Sequence, residues 1–195
     1  LPRAEDHGSP RPRTRLRRRV MSAPGKFAGQ LANVSAIFIV ASGCERYDQT
    51  KNTVVLLARL FEDLVIVGGD PSWGQYGRLI ECSDSHGFTR GLECAREERA
   101  LVVVASGDSS WFPADLLLGL TAWPEHEFVA PSIDGEGSPL CALVQCEAAL
   151  AVLRAIEEKG VSALSSLEAL RSKLDASVIE GDDLAALLGT RTAIS

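Results

Sequence analysis

An aspartate just beyond a run of aliphatic residues is the best-placed candidate for chemistry in this chain. Asp108 follows Leu-Val-Val-Val-Ala-Ser (101–106) and Gly107. If that run is a buried strand, the carboxylate stands at the sheet edge, where a hard cation can bind. Mg²⁺ commonly takes only one or two carboxylates and fills its remaining positions with water and phosphate oxygens, so one aspartate suffices when a nucleotide supplies the rest. The competing use of Asp108 is as a turn or N-cap residue ahead of the next helix. A second candidate is the stretch 42–51, which holds Ser42, Gly43, Arg46 and Lys51. Backbone N–H groups together with Arg46 and Lys51 could cradle a polyphosphate. A plain turn with two solvated cations accounts for the same residues, because neither the Walker pattern nor Gly-x-Gly-x-x-Gly is present.

Both candidates need elements to hold them. The run 36–41 (Ala-Ile-Phe-Ile-Val-Ala) is apolar throughout and bounded by Ser42-Gly43, as a strand buried on both faces is. Residues 53–61 suit a helix packed on it. A second buried strand over 63–68 is closed by Gly69-Asp70-Pro71, a short third strand spans 78–82, and a brief helix spans 91–99. The run 101–106 is the clearest strand. Pro113 opens a helix over 114–122, with Asp115 at the positive end of its dipole. Residues 127–133 and 140–144 are strand-like neighbours, and 147–159 is a helix stopped by Gly160. Ser165-x-x-Glu168 is a capping-box pattern for a last helix, with Leu167, Leu170 and Leu174 on one face. This alternation predicts an α/β fold, a Rossmann-like three-layer sandwich with a mostly parallel sheet. In such sheets ligands bind outside the carboxyl ends of the strands, where both candidate loops lie.

Composition narrows the function. A chain of 195 residues with 46% hydrophobic and 24% charged residues fits one globular domain without staples. No apolar run approaches the roughly 18 residues of a membrane span, and the expected setting is cytoplasmic. Residues 1–20 carry seven arginines against Glu5 and Asp6, a net +5, so the chain total of −6 leaves −11 on residues 21–195. That acidic body repels phosphates and argues against nucleic acid as a partner. The expected organisation is a disordered basic leader over 1–20, ahead of the only methionine, Met21, and a folded domain over 21–195. The five cysteines form no Cys-x-x-Cys pair and the three histidines are scattered. This disfavours a zinc site and suggests free thiols in a reducing compartment.

Taken together, three segments resemble the molybdenum cofactor guanylyltransferase family, a branch of the GT-A-like nucleotidyltransferases. The family's Ala-Gly-Gly loop ending in lysine is matched by 41–51 (Ala-Ser-Gly-Cys-Glu-Arg-Tyr-Asp-Gln-Thr-Lys). Its strand-then-aspartate motif is matched by Gly107-Asp108-Ser109-Ser110-Trp111, and its Pro-Leu-x-Ala-Leu segment by Pro139-Leu140-Cys141-Ala142-Leu143. The resemblance runs from about residue 35 to the C-terminus. It implies the nucleotide-diphospho-sugar transferase (GT-A) type of fold and transfer of GMP from GTP to molybdopterin with release of pyrophosphate. Ala41, Ser42 and Gly43 would contact the nucleotide through backbone, Lys51 and Arg46 would act on phosphate, and Asp108 would hold Mg²⁺. Asp84 or Glu81 would fill the family's second acidic position. The implied partners are GTP, molybdopterin and, downstream, molybdoenzyme maturation proteins, with the chain a monomer or weak oligomer.

The departures are specific. Ser42 stands where the family has a glycine that lets backbone approach phosphate, Asp48 replaces another glycine, and Thr50 replaces an aspartate. They support an alternative expectation, a non-catalytic relative that binds nucleotide or pterin and acts as a regulatory or delivery partner.

Overall fold

A computed structural model describes residues 31–41, 43–44, 48–82, 86–105, 112–123, 125–132, 140–156 and 163–188. Residues 1–20, expected as a leader, lie outside them. The aliphatic runs form strands because their β-branched residues pack on both faces of a sheet. β1 (Ser35–Val40), β2 (Leu64–Val67) and β4 (Arg99–Ala105) are buried almost throughout. With β3 (Arg78–Ile80), β5 (Phe128–Pro131), β6 (Cys141–Gln145) and β7 (Ala176–Ile179) they form one seven-stranded sheet in the order β3-β2-β1-β4-β6-β5-β7. The β1–β2, β1–β4, β2–β3 and β5–β7 pairings are parallel, and β6 runs antiparallel to both β4 and β5.

Side chains alternate between two cores. Ala36, Phe38, Val40, Leu101 and Val103 face the side covered by α1 (Asp48–Leu60), α3 (Ala114–Leu120) and α6 (Gly181–Leu187). Ile37, Ile39, Val102 and Val104 face the side of α2 (Gly87–Cys94), α4 (Cys146–Ile156) and α5 (Ala163–Lys173). The result is the expected three-layer α/β sandwich with a mostly parallel sheet. Among the described residues no helix is long and apolar enough to cross a membrane.

Several boundaries differ from expectation for identifiable reasons. α1 begins at Asp48 rather than 53, because its first turn is polar and only Thr50, Thr53, Val54 and Leu57 mark the buried stripe. α2 begins at Gly87 rather than 91 and ends before 99, which belongs to β4. Its glycines are contact residues and not breakers. A Cβ on Gly87 would lie 2.8 Å from Val67 Cγ1, and one on Gly91 would lie 2.9 Å from Ile37 Cγ2. The helix therefore rests its backbone on the sheet. Gly91→Ala is expected to cost about 1–3 kcal/mol through overpacking, read as a lower urea midpoint with unchanged m-value. Pro113 occupies the N-cap position, with ψ 137°, instead of the first helical turn. α5 starts at Ala163, so Ser165 lies inside the helix and the capping-box reading is overturned, while Leu167 and Leu170 are buried as expected. β7 and α6 have no counterpart among the expected elements.

The amino edge of the sheet is tied by a polar knot. Asp63, 7% exposed, accepts from Ser35 Oγ at 2.5 Å, Arg78 Nη2 at 2.5 Å and the Arg96 amide at 3.0 Å. Ser35 Oγ in turn accepts the amides of Arg96 at 3.1 Å and Glu97 at 3.2 Å. One carboxylate and one hydroxyl thereby link the starts of β1, β2 and β3 to the approach to β4.

Candidate functional site

The direction of winding reverses between β1 and β4. β2 and β3 follow on one side of β1, and β4 pairs on the other. This is the topological switch point, where the flanking connections diverge and leave a crevice beyond the carboxyl ends. The ends are in register, Val40 opposite Ala105, and the Ala41 amide donates to the Ala105 carbonyl at 3.3 Å. The chain then turns sharply, with the Cys44 amide donating to the Ala41 carbonyl at 3.0 Å. Gly43 has φ +89°, a conformation L-residues resist, and a Cβ there would meet nothing within 4 Å. The glycine is needed for its backbone, and among the described residues nothing fills the space beside it. Ala41 is exposed, whereas Cys44 is 5% exposed and anchors the turn in the α1-side core. Lys51 is exposed in the first turn of α1, the 13-residue helix that leaves this edge.

The turn after β2 packs against the end of β1. Gly68 and Gly69 have φ +75° and +86°, and a Cβ on Gly68 would lie 3.0 Å from the Val40 carbonyl oxygen. A Cβ on Gly69 would lie 2.7 Å from the Trp73 ring, which is 3% exposed. Asp70 caps the 3-10 turn Pro71–Gln75: Oδ1 accepts from the Ser72 amide at 2.8 Å, and its carbonyl accepts from the Trp73 amide at 3.0 Å. Hydrogen bonds from the Ser72 side chain and amide hold the Asp70 carboxyl below the usual range, and the Lys51 charge adds to the effect.

Of the residues singled out from sequence, the structure brings Ala41, Gly43 and Lys51 to this one edge. Ser42, Arg46, Asp84 and Asp108 lie outside the described residues, Asp108 three positions beyond the end of β4. Glu81 is exposed directly after β3, with β2 between that strand and β1. Pro139 also lies outside the described residues. In the following segment, the Leu140 carbonyl accepts the Val104 amide at 2.8 Å and Cys141, Ala142 and Leu143 are buried in β6. That part of the matched motif is sheet core. The sequence marks Asp70 only as part of a breaker cluster. The signal available is its position, an acid behind two glycines at the end of a buried strand in the same sheet.

Nucleophilic chemistry at the buried thiols is disfavoured. All five cysteines are free, and burial pushes the Cys141 thiol up to about 12 and the Cys146 thiol to about 11. At neutral pH neither supplies thiolate. A cavity of about 620 Å³ opens between α2 and α4, lined by Leu92, Glu98, Cys146 and Leu150 and rimmed by the Glu93–Arg154 ion pair at 2.7 Å. It reaches Gln145, the last residue of the antiparallel strand β6, and so lies toward the amino edge, away from the switch point.

No protein-family model matches the sequence, and no curated protein matches it. Solved structures do match the fold. The chain is similar to 4-diphosphocytidyl-2C-methyl-D-erythritol synthase from Anaerococcus prevotii, at 11% identity and TM-score 0.54, covering 76% of this chain and 89% of that one. It is similar to 2-C-methyl-D-erythritol 4-phosphate cytidylyltransferase from Thermus thermophilus, at 14% identity and TM-score 0.54, covering 79% and 95%. A protein from Aquifex aeolicus matches at 16% identity and TM-score 0.54, covering 80% and 92%. The chain shares its fold with these solved structures.

Proposed function

We propose that this chain is a Mg²⁺-dependent nucleotidyltransferase that transfers GMP from GTP to molybdopterin and releases pyrophosphate. The observation that carries the reading is the switch-point edge itself, where an open glycine turn, the Lys51 ammonium and the end of the strand preceding Asp108 converge. Two fold neighbours, a 2-C-methyl-D-erythritol 4-phosphate cytidylyltransferase and a 4-diphosphocytidyl-2C-methyl-D-erythritol synthase, support the general class. The guanylyl and molybdopterin assignments rest on the resemblance of 41–51, 107–111 and 139–143 to the guanylyltransferase family.

The chemistry suits such an edge. An oxygen of the acceptor's terminal phosphate attacks the α-phosphorus of GTP, the bond to the bridging oxygen of the β-phosphate breaks, and pyrophosphate leaves with the electron pair. Catalysis of this kind is mainly positioning and neutralising charge on the leaving group. Gly43 offers its backbone beside the phosphates, Ala41 anchors the turn through the hydrogen bonds of its amide and carbonyl, Lys51 neutralises the phosphates, and Arg46 adds a second cation. Among the described residues no group of three His, Cys, Asp or Glu could hold a metal ion by itself. A hard cation here would share oxygen ligands between Asp108 and the nucleotide's phosphates, as Mg²⁺ commonly does. That ion would supply charge neutralisation on the phosphate oxygens. Asp84 or Glu81 is the proposed second nucleotide-side acid, and a molybdoenzyme maturation protein the proposed recipient of the product.

Asp48 in the first turn of α1 and Asp70 beside Lys51 place negative charge near a polyanion site. They favour, as a second reading, a non-catalytic relative that binds nucleotide or pterin and serves as a delivery or regulatory partner. Calorimetric titration with GTP and Mg²⁺ is expected to show one site, tighter than with CTP. No heat at millimolar nucleotide would sink the transferase reading.

A further inference from the structure

The two margins of the sheet differ. β3, at one end of the strand order, is bordered by the 3-10 turn, where a Cβ on Gly74 would lie 3.8 Å from Leu79 Cβ. β7, at the other end, pairs with β5 alone among the described residues. The Phe128 amide donates to the Asp175 carbonyl at 3.1 Å, and the Ser132 amide donates to the Ile179 carbonyl at 2.9 Å. Along a strand, alternate residues turn their backbone groups to the same neighbour, so Asp175, Ser177 and Ile179 address β5. Ala176 and Val178 therefore direct N–H and C=O away from the sheet. Such an edge is usually guarded by a charge or a proline, and β7 (Ala-Ser-Val-Ile) carries neither. Ala176 is exposed and Val178 half-buried.

We propose that β7 is a self-association edge, which pairs antiparallel with β7 of a second copy of this chain about a two-fold axis. The register follows from the outward groups. Ala176 of one copy lies opposite Val178 of the other, and each such pair exchanges both of its N–H to O=C bonds. Leu174 then lies opposite Glu180 of the second copy. The basic end of α5 (Arg171, Lys173) meets the acidic stretch Glu180, Asp182 and Asp183, and the two-fold makes the same match twice. All five charged residues are exposed. Asp175, the acid next to that basic end, is engaged within its own chain by His126 at 3.2 Å. Parallel pairing of the two edges would set like charges side by side, which is unfavourable. This self-complementarity is what points to a second copy as the occupant. β7 lies three places from β4 in the strand order, so the pairing leaves the switch-point crevice open and does not depend on the transferase reading.

Sedimentation equilibrium of the full chain tests the proposal. A short edge with charged flanks gives a weak association, so the mass is expected to rise from one copy toward two between roughly 1 and 300 μM. Val178→Pro removes an outward donor without touching the β5 ladder, as proline on an edge strand can. It is expected to weaken the dimer about tenfold or more, since the two-fold loses the bond twice. Lys173→Glu and Glu180→Lys should each weaken it about three- to tenfold at low ionic strength, less with added salt. Glu180 makes no side-chain cap bond to α6, so its replacement leaves the helix intact. The Lys173→Glu/Glu180→Lys double variant should recover the wild-type dimer, because reversing both charges restores the match. Amide exchange at Ala176 and Val178 should slow as protein concentration rises, whereas Ser177 and Ile179 stay protected throughout. A single-copy mass across the range overturns the proposal, as does a dimer indifferent to Val178→Pro or a double variant no better than the single ones. Protection of Ala176 and Val178 that ignores concentration also overturns it, and would mean that the chain covers this edge itself.

Discussion

Asp108→Ala is expected to lower GMP transfer by about 10²–10³-fold, the usual cost of removing one group that stabilises charge developing in a transition state. The loss should fall on kcat more than on KM, because the leaving pyrophosphate carries more charge on its bridging oxygen in the transition state than GTP does in the ground state. The placement supports this. β4 is buried to its end, Ala105 is hydrogen-bonded to the Ala41 amide across the switch point, and Asp108 follows three residues later in the sequence. Pyrophosphate release with GTP, Mg²⁺ and molybdopterin is the assay. Asp108→Asn separates a turn role from a metal role, since asparagine suits a turn as well as aspartate does but is a poor ligand for a hard cation. A turn residue would survive that change and a metal site would not. Wild-type turnover in Asp108→Asn would remove Asp108 from the metal site and favour the non-catalytic reading.

The core of this fold was legible because burial on both faces leaves an unmistakable record. The runs around Phe38, Ile66 and Val103 contain no polar residue that could face water, so they had to be central strands of a covered sheet. Elements at the sheet margin left less. β7 is four residues long, and its burial alternates with exposure at Ala176, which in sequence is indistinguishable from a loop between helices. The direction of β6 was equally hidden. Cys141 to Val144 is apolar in either orientation, and only the pairing of Phe128 with Val144 and Leu101 with Leu143 reveals that it is antiparallel. α2 was displaced because glycine usually interrupts a helix. Gly87 and Gly91 lie four residues apart and admit Val67 and Ile37, a use that becomes visible only once the opposing surface is known.

The site divides along the same line. Loops after buried parallel strands are ligand edges by topology, so Ala41, Gly43 and Lys51 could be placed from sequence alone. Which acids share that edge with Lys51 depended on the order of strands. With β2 beside β1, the acid that closes the β2 turn reaches the same edge. Asp70 became interpretable through that pairing, and no local motif around it carries the information. The reverse holds for Pro139 to Leu143. It matches a family motif in sequence, yet Cys141, Ala142 and Leu143 are buried in β6 and contribute packing.

The largest stability effect is expected at the opposite edge. Asp63→Ala should cost about 3–5 kcal/mol, because it strips the partner from donors committed to a buried carboxylate. Burial alone raises the Asp63 carboxyl, but the hydrogen bonds from Ser35, the Arg96 amide and Arg78, with the Arg78 charge, outweigh it and leave the group below its ordinary value. The sign follows. A folded-state value below the unfolded one means the native protein holds fewer protons, so this contribution is present above about pH 4 and fades as pH falls through the depressed folded value. Asp63→Asn should be milder, since one oxygen can still accept from Ser35 and Arg96 while the amide nitrogen opposes Arg78. Urea unfolding at pH 7 and near pH 3 measures both variants against wild type. The gap between wild type and Asp63→Asn should narrow in acid, whereas a pH-independent gap would mean that Asp63 acts through packing and not through its charge. The knot joins Ser35 at the start of β1 to Arg78 at the start of β3. Its loss should therefore loosen that edge as a unit, and amide exchange at β2 and β3 should accelerate before exchange in the central β4 does.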